Sequence, residues 1–108
     1  MKKGEIWLVD IPSANGHEQT GKRPAIILAD TQVNVTIVVP ITSNLQALRF
    51  PHTLELKPSS SNGLSTVSVC LIFQIRAIDK KRLNKKIGML EDSKASELDN
   101  MIKLFLSL

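Results

Sequence analysis

The apolar residues of this chain change period once, and that change sets the order of its secondary structure. Up to about residue 80 they come in alternating or continuous short runs; in the tail they recur every three or four positions. The runs "GEIWLVDI" (4–11), "AIILAD" (25–30) and "VNVTIVVPI" (33–41) each read as a strand, rich in the β-branched side chains that suit a pleated surface. Only Thr31 and Gln32 separate the last two, as in a tight hairpin. Residues 44–56 begin as a loop and end in a short strand at Leu54–Leu56, and "KPSSSNG" (57–63) is the clearest loop of the chain. "STVSVCLIFQIRAID" (65–79) predicts a long strand bent or interrupted near Gln74. A helical turn then fits Lys80–Leu83, and "KKIGML" (85–90) reads as a brief last strand.

The tail is the one amphipathic helix. Ala95, Leu98, Met101, Ile102, Phe105 and Leu106 form a single apolar stripe. Asp92 or Ser93 is placed to cap it, and Glu97 to sit near the positive end of its dipole. Short, locally connected strands followed by one such helix predict a mainly β (α+β) fold. The expected form is a small twisted sheet or open barrel of about five to seven strands, with the helix covering part of it. No repeat, low-complexity tract or linker divides the chain, so residues 1–108 are read as a single domain.

Composition narrows the class. With 43% hydrophobic and 22% charged residues the chain is an ordinary folded domain, and 108 residues suffice for one modest core. A lone cysteine, Cys70, lies inside "VSVCLIF" and reads as a small buried hydrophobe; with no disulfide possible within the chain, a reducing compartment is expected. No window approaches the ~18 apolar residues of a membrane span. Asp10 interrupts the N-terminal apolar run before any signal-peptide core forms, so the expected location is the cytoplasm. The net charge is +4, concentrated at Arg76, Lys80, Lys81, Arg82, Lys85 and Lys86. A stripe like this attracts phosphate backbones, and it equally suits a solvated turn that keeps the protein soluble. Four aromatic residues are few for a stacking platform.

The chemistry-bearing residues are polar and ionic. His17 and His52 are far apart and no paired cysteines exist, so no metal site and no cofactor are expected; glycine-rich phosphate loops and serine-nucleophile elbows are absent too. "HEQTGKRP" (17–24) places His17, Glu18, Lys22 and Arg23 between two strands. Arg23 offers planar donors that grip a phosphate at two points, with Pro24 fixing the backbone behind it. His17 and Glu18 can move protons near neutral pH if tuned by their surroundings. "PITSN" (40–44) ends a strand in two hydroxyls, Thr42 and Ser43, which can donate to phosphate oxygens without adding charge. Each feature taken singly also fits ordinary turn chemistry.

Taken together in order and spacing, several segments resemble the MazF/PemK family of toxins from type II toxin–antitoxin systems, especially its Kid-like branch. They are "KGEIWLVDIP", "GHEQTGKRPAIIL", "VVPITSN", "NGL" at 62–64, "FQIRAID" at 73–79 and "RL" at 82–83. The resemblance implies an SH3-like barrel with a C-terminal helix, forming a homodimer. It also implies a metal-independent, sequence-specific endoribonuclease that cuts single-stranded RNA, chiefly mRNA, by 2'-hydroxyl attack, leaving a 2',3'-cyclic phosphate. On this resemblance Arg23, Thr42, Glu18 and His17 carry catalysis, and Lys22, Ser43, Gln19, Phe73, Gln74 and Arg76 contact RNA. A cognate acidic antitoxin is the implied partner. The chain departs from the pattern where the family commonly has an acid before the glutamine. Phe73 stands there, and Leu71 stands where the Kid-like branch has an arginine; a phenylalanine can stack on a base but cannot accept a proton. Two other readings follow: a gyrase poison like the CcdB relatives, which rely on a C-terminal tryptophan that this chain lacks, or a weakened module that only binds RNA or antitoxin.

Overall fold

The structure, a computed structural model, describes residues 1–11 and 21–108. Seven strands run β1 (Glu5–Ile11), β2 (Gly21–Asp30), β3 (Val35–Thr42), β4 (Thr53–Leu56), β5 (Ser68–Leu71), β6 (Arg76–Asp79) and β7 (Leu83–Met89), and helix α1 spans Asp92–Leu106. All pairings are antiparallel, in the order β4-β5-β3-β2-β1-β7, with β6 also on β3. The central strand β3 is shared. Val35–Val38 pair with β6, whereas Ile41 and Thr42 pair with Cys70 and Val69 of β5. A 3-10 turn at Ile72–Gln74 carries the chain from one partner strand to the other, so the break expected near Gln74 is real. Register shifts between Ile6 and Trp7, Leu8 and Val9, and Ile27 and Ala29 bend the sheet. The result is the expected open, mainly β architecture: strongly curved, unclosed, and backed by one helix.

Curvature explains why the apolar runs are continuous. Alternate residues of each strand face opposite sides, and both sides are buried here. Ile6, Ile26, Val39 and Ile41 join Leu54, Leu56, Ile72 and Leu98 of α1 in one core, while Val9, Ile11, Ala25, Ile27, Val38 and Ile78 form the other. Two-sided burial removes the polar half of the usual alternation.

Boundaries differ from the sequence reading in informative ways. Strand β2 starts at Gly21, not Ala25, because Gly21 to Pro24 pair with Ile11 to Leu8 of β1 despite their turn-like composition. The β2–β3 connection is four residues long, Thr31 to Asn34. The Thr31 hydroxyl donates to the Val35 carbonyl and accepts the Val33 N–H at 3.3 Å, and Val33 is left 64% exposed, so β3 begins at Val35, two residues after the apolar run does. The 3-10 turn at Lys80–Arg82 occurs as expected, and β7 follows at once. Neither Asp92 nor Ser93 caps the helix. Glu91 holds the N-cap position with no side-chain bond; Asp92 lies in the first turn, where its charge suits the dipole, and Glu97 instead pairs with Lys94 at 3.3 Å. The helix closes at Ser107, which is left-handed (φ 59°), with Leu108 N–H donating to the Lys103 carbonyl at 2.9 Å. Ala95, Leu98, Met101, Ile102 and Phe105 pack on the core, and Leu106 turns away, 46% exposed.

Candidate active site

A cleft of about 440 Å3 opens where the ends of β2 and β3 meet the segment before β5. One wall is Lys22, Arg23, Pro24, Thr42 and Ser43; the other is Gly63, Leu64, Ser65, Thr66 and Ser68; Leu8, Ile41 and Ile87 supply apolar surface. The register builds the first wall. Leu8 opposite Pro24, Val9 opposite Arg23 and Ala25 opposite Pro40 carry the cations of β2 to the end of β3, where Thr42 is only 5% exposed. Thr42 Oγ1 accepts the Asn44 N–H at 3.2 Å, which occupies a lone pair and leaves the hydroxyl proton to donate. Asn44 Oδ1 in turn caps the 3-10 helix Leu45–Arg49 by accepting the Gln46 N–H at 3.1 Å. Lys22, Arg23 and Ser43 are exposed to the cleft mouth.

The second wall is held from behind by Asn62, which is 1% exposed. Its Oδ1 accepts the Ser59 and Leu64 N–H groups at 3.1 and 3.0 Å, and its Nδ2 donates to the Lys57 carbonyl at 2.9 Å. Met89 N–H donates to the Ser61 carbonyl at 2.8 Å, tying the loop to β7. The approach is close enough to require glycine on both sides. A Cβ on Gly63 (φ +71°) would lie 1.9 Å from the Ile87 carbonyl oxygen, and one on Gly88 would lie 2.3 Å from the Asn62 carbonyl carbon. Ser68 Oγ then donates to the Thr66 carbonyl at 3.0 Å, fixing the wall from the other end.

Four of the expected residues, Lys22, Arg23, Thr42 and Ser43, share this cleft. His17, Glu18 and Gln19 lie outside the described residues. Phe73, Gln74 and Arg76 do not line the cleft: Phe73 and Gln74 belong to the 3-10 turn after β5, and Arg76 opens β6 opposite Val38. The Phe73 ring packs at 6.0 Å from Phe50, over which the Arg49 guanidinium sits at 5.2 Å. Leu71 is buried. Sequence reasoning did not single out Ser65 or Thr66, and it noted Asn62 only as part of "NGL", with no role; the hydroxyl pair following that segment was the available signal.

Much of the basic stripe is engaged within the fold. Lys80 pairs with Asp30 at 2.8 Å and donates to the Thr31 carbonyl at 2.6 Å, Lys86 pairs with Glu5 at 3.3 Å, and Arg82 stands 4.0 Å from Asp10. Glu5 is almost fully buried. The Trp7 indole N–H, donating at 2.8 Å, and the Lys86 ammonium hold its carboxyl below the usual range, outweighing burial. Lys80 does the same for exposed Asp30. Burial pushes the Cys70 thiol up to about 12, so it stays protonated and inert, as the apolar run around it implied. Among the described residues no group of three or more His, Cys, Asp or Glu is placed to hold a metal ion, and no helix is long and apolar enough to cross a membrane.

A guanidinium, a buried hydroxyl and exposed neutral hydroxyls gathered over an apolar floor are groups of the kind that suit a phosphodiester and its bases. Comparison with known proteins points to the same class. Residues 2–106 match the family model described as PemK-like, MazF-like toxin of type II toxin–antitoxin system. The chain is 35% identical over 112 residues to a protein named Endoribonuclease MazF from Staphylococcus saprophyticus, a match that covers 100% of this chain and 92% of that one. Among solved structures, MazF from Deinococcus radiodurans superposes with a TM-score of 0.82 at 20% identity, covering 100% of this chain and 97% of that one. An endoribonuclease in complex with its cognate antitoxin from a mycobacterial species gives 0.72 at 15% identity, covering 98% and 92%. The chain belongs to the PemK-like, MazF-like toxin family of type II toxin–antitoxin systems.

Proposed function

We propose that this chain is the toxin of a toxin–antitoxin pair and a sequence-specific endoribonuclease that cleaves single-stranded RNA without a metal. The observation that carries the reading is the meeting of Arg23 and Thr42 in one cleft, since a family name alone places no chemistry. In the proposed reaction the substrate 2'-oxygen attacks the adjacent phosphorus and the bond from phosphorus to the 5'-oxygen breaks. A base takes the 2'-hydroxyl proton and an acid supplies one to the leaving 5'-oxygen, giving a 2',3'-cyclic phosphate and a 5'-hydroxyl. Arg23 clamps the non-bridging oxygens as their charge grows, Thr42 donates to one of them with Ser43 beside it, and Lys22 adds attraction at the mouth.

The base comes from His17 or Glu18. Among the described residues the cleft is lined by no carboxylate and no imidazole, and Phe73 accepts no proton. Gln19, Phe73, Gln74 and Arg76 are assigned to the wider RNA path. The partners proposed are an acidic antitoxin drawn to the same cationic wall and a second copy of the chain, with the cytoplasm as the place of action. Exposed Leu45, Leu48 and Phe50, with Leu104 and Leu106 of α1, supply apolar surface for such contacts. A gyrase-poison reading has no corresponding feature, because Trp7 is engaged with Glu5 within the fold.

The test is end-sequencing of a long RNA after incubation in EDTA. Wild type is expected to give site-specific 5'-hydroxyl and cyclic-phosphate ends, and Arg23→Ala and Thr42→Val to give few. Absence of specific cuts where a related toxin cuts in the same buffer would refute the reading.

A further inference from the structure

The two walls of the cleft differ in chemistry, and the difference assigns them different parts of a nucleotide. Lys22 and Arg23 carry charge, whereas Ser65 and Thr66, exposed on the facing wall, carry neutral hydroxyls. Charged donors suit phosphate, which positions a strand but contains no sequence information. A hydroxyl donates and accepts together, which matches the mixed edges of unstacked RNA bases and neutralises nothing. We propose that Ser65 and Thr66 read a base next to the scissile phosphate and thereby set cleavage-sequence preference.

The assignment rests on the RNA-cleaving reading and adds to it the residues that discriminate. Three observations support it. Leu8, Leu64 and Ile87 lie in the same cleft and provide an apolar surface for the face of a base whose edge meets the hydroxyls. The wall is rigid: the buried Asn62 amide, the Gly63–Gly88 contact and the Ser68 bond to the Thr66 carbonyl hold the backbone on both sides of Ser65. A rigid wall cannot adapt to the wrong base, so a mismatch leaves polar groups unpaired, and that is the source of discrimination. Finally, among the described residues the Ser65 and Thr66 side chains brace no other part of the fold. The hydroxyl that braces the wall is Ser68's, and the Thr66 group engaged there is its carbonyl.

Full-length wild type, Ser65→Ala, Thr66→Val, the double variant and Arg23→Ala are each incubated with a pool of random-sequence single-stranded RNA. Cut ends are sequenced, and kcat/KM is measured on the preferred site and on its single-base variants. In the double variant, preference at one base position is expected to fall about tenfold, the size of one lost base contact. The preferred site drops toward its competitors, whereas Arg23→Ala lowers all sites together. Cutting with an unchanged sequence profile in the double variant, whether slower or not, overturns the assignment and leaves the ribonuclease reading standing. A wild type that cuts no RNA overturns both. Both residues are exposed, so thermal melts are expected to match wild type; if the double variant melts early, the two single variants decide on the same profile.

Discussion

Replacing Asn62 by alanine is the most direct probe of how the cleft is built. The side chain makes three bonds to backbone: from Ser59 N–H, from Leu64 N–H and to the Lys57 carbonyl. Leu64 is buried, so its N–H is left without a partner, a loss of about 1–3 kcal/mol. Lys57 and Ser59 lie nearer the surface, where water can replace the amide, and each such bond contributes nearer 0.5–1 kcal/mol. The sum is about 3 kcal/mol, which for a domain of this size lowers Tm by roughly 12–18 °C. Circular dichroism melts of wild type, Asn62→Ala and Asn62→Asp measure it. The aspartate keeps an acceptor for the two N–H groups but buries a carboxylate with one oxygen against the Lys57 carbonyl, so its melt too is expected to fall well below that of wild type. A shift below about 3 °C for Asn62→Ala would show that the glycine contact and the Ser61–Met89 bond hold the wall without the amide. The same variant, assayed far below its Tm, is expected to lose cleavage through misplacement of Ser65 and Thr66.

Other outcomes can be checked independently. Gly63→Ala puts a methyl 1.9 Å from the Ile87 carbonyl oxygen in a left-handed backbone, so a melt lowered at least as far as that of Asn62→Ala is expected; a native-like melt would contradict the close approach. Thr42→Val should lower kcat about 100-fold, the usual effect of removing one preorganised donor, with a smaller effect on RNA binding. Glu5 is lowered on folding, so its contribution to stability is present above about pH 4.5 and is lost as pH falls through the folded value. Stability of wild type is therefore expected to decline on acidification more than that of Glu5→Gln. Cys70 is raised on folding, so its contribution is complete below about pH 9 and is lost as pH rises toward 12. Native protein should resist thiol alkylation at pH 8, and urea-unfolded protein should react.

Strand order along the chain was legible because β-branched runs and a 3.6-residue period are local signals, and helix α1 followed from six stripe positions, of which only Leu106 faces away. The start of β2 was not. Gly21, Lys22, Arg23 and Pro24 have turn-like composition, and only pairing with β1 draws them into the sheet. Half of the cleft was legible, since Arg23 and Thr42 stand out as functional types in known positions. The facing wall was hidden because "LSTVS" is ordinary in composition. Its role comes from Asn62 and from Gly88, which lies well beyond it in sequence, and no local pattern announces that contact. Phe73 and Arg76 show the complementary limit: a motif brought them to notice, but β3 changes partners between Ile41 and Val38, and that switch carries them out of the cleft.

The dependence of the second wall on β7 also bears on biosynthesis. Strand β7 is made after β1 and after the loop that it holds, and it pairs with β1. Until it emerges from the ribosome, Gly88 and Met89 are not there to receive Asn62 and Ser61, and a nascent chain holds Arg23 and Thr42 against an unmoored loop. A growing chain that has not yet made β7 is therefore expected to cut RNA poorly, because its second wall has nothing to hold it in place. A chain stopped after Arg82 that still cut RNA at the wild-type site would refute this order of events.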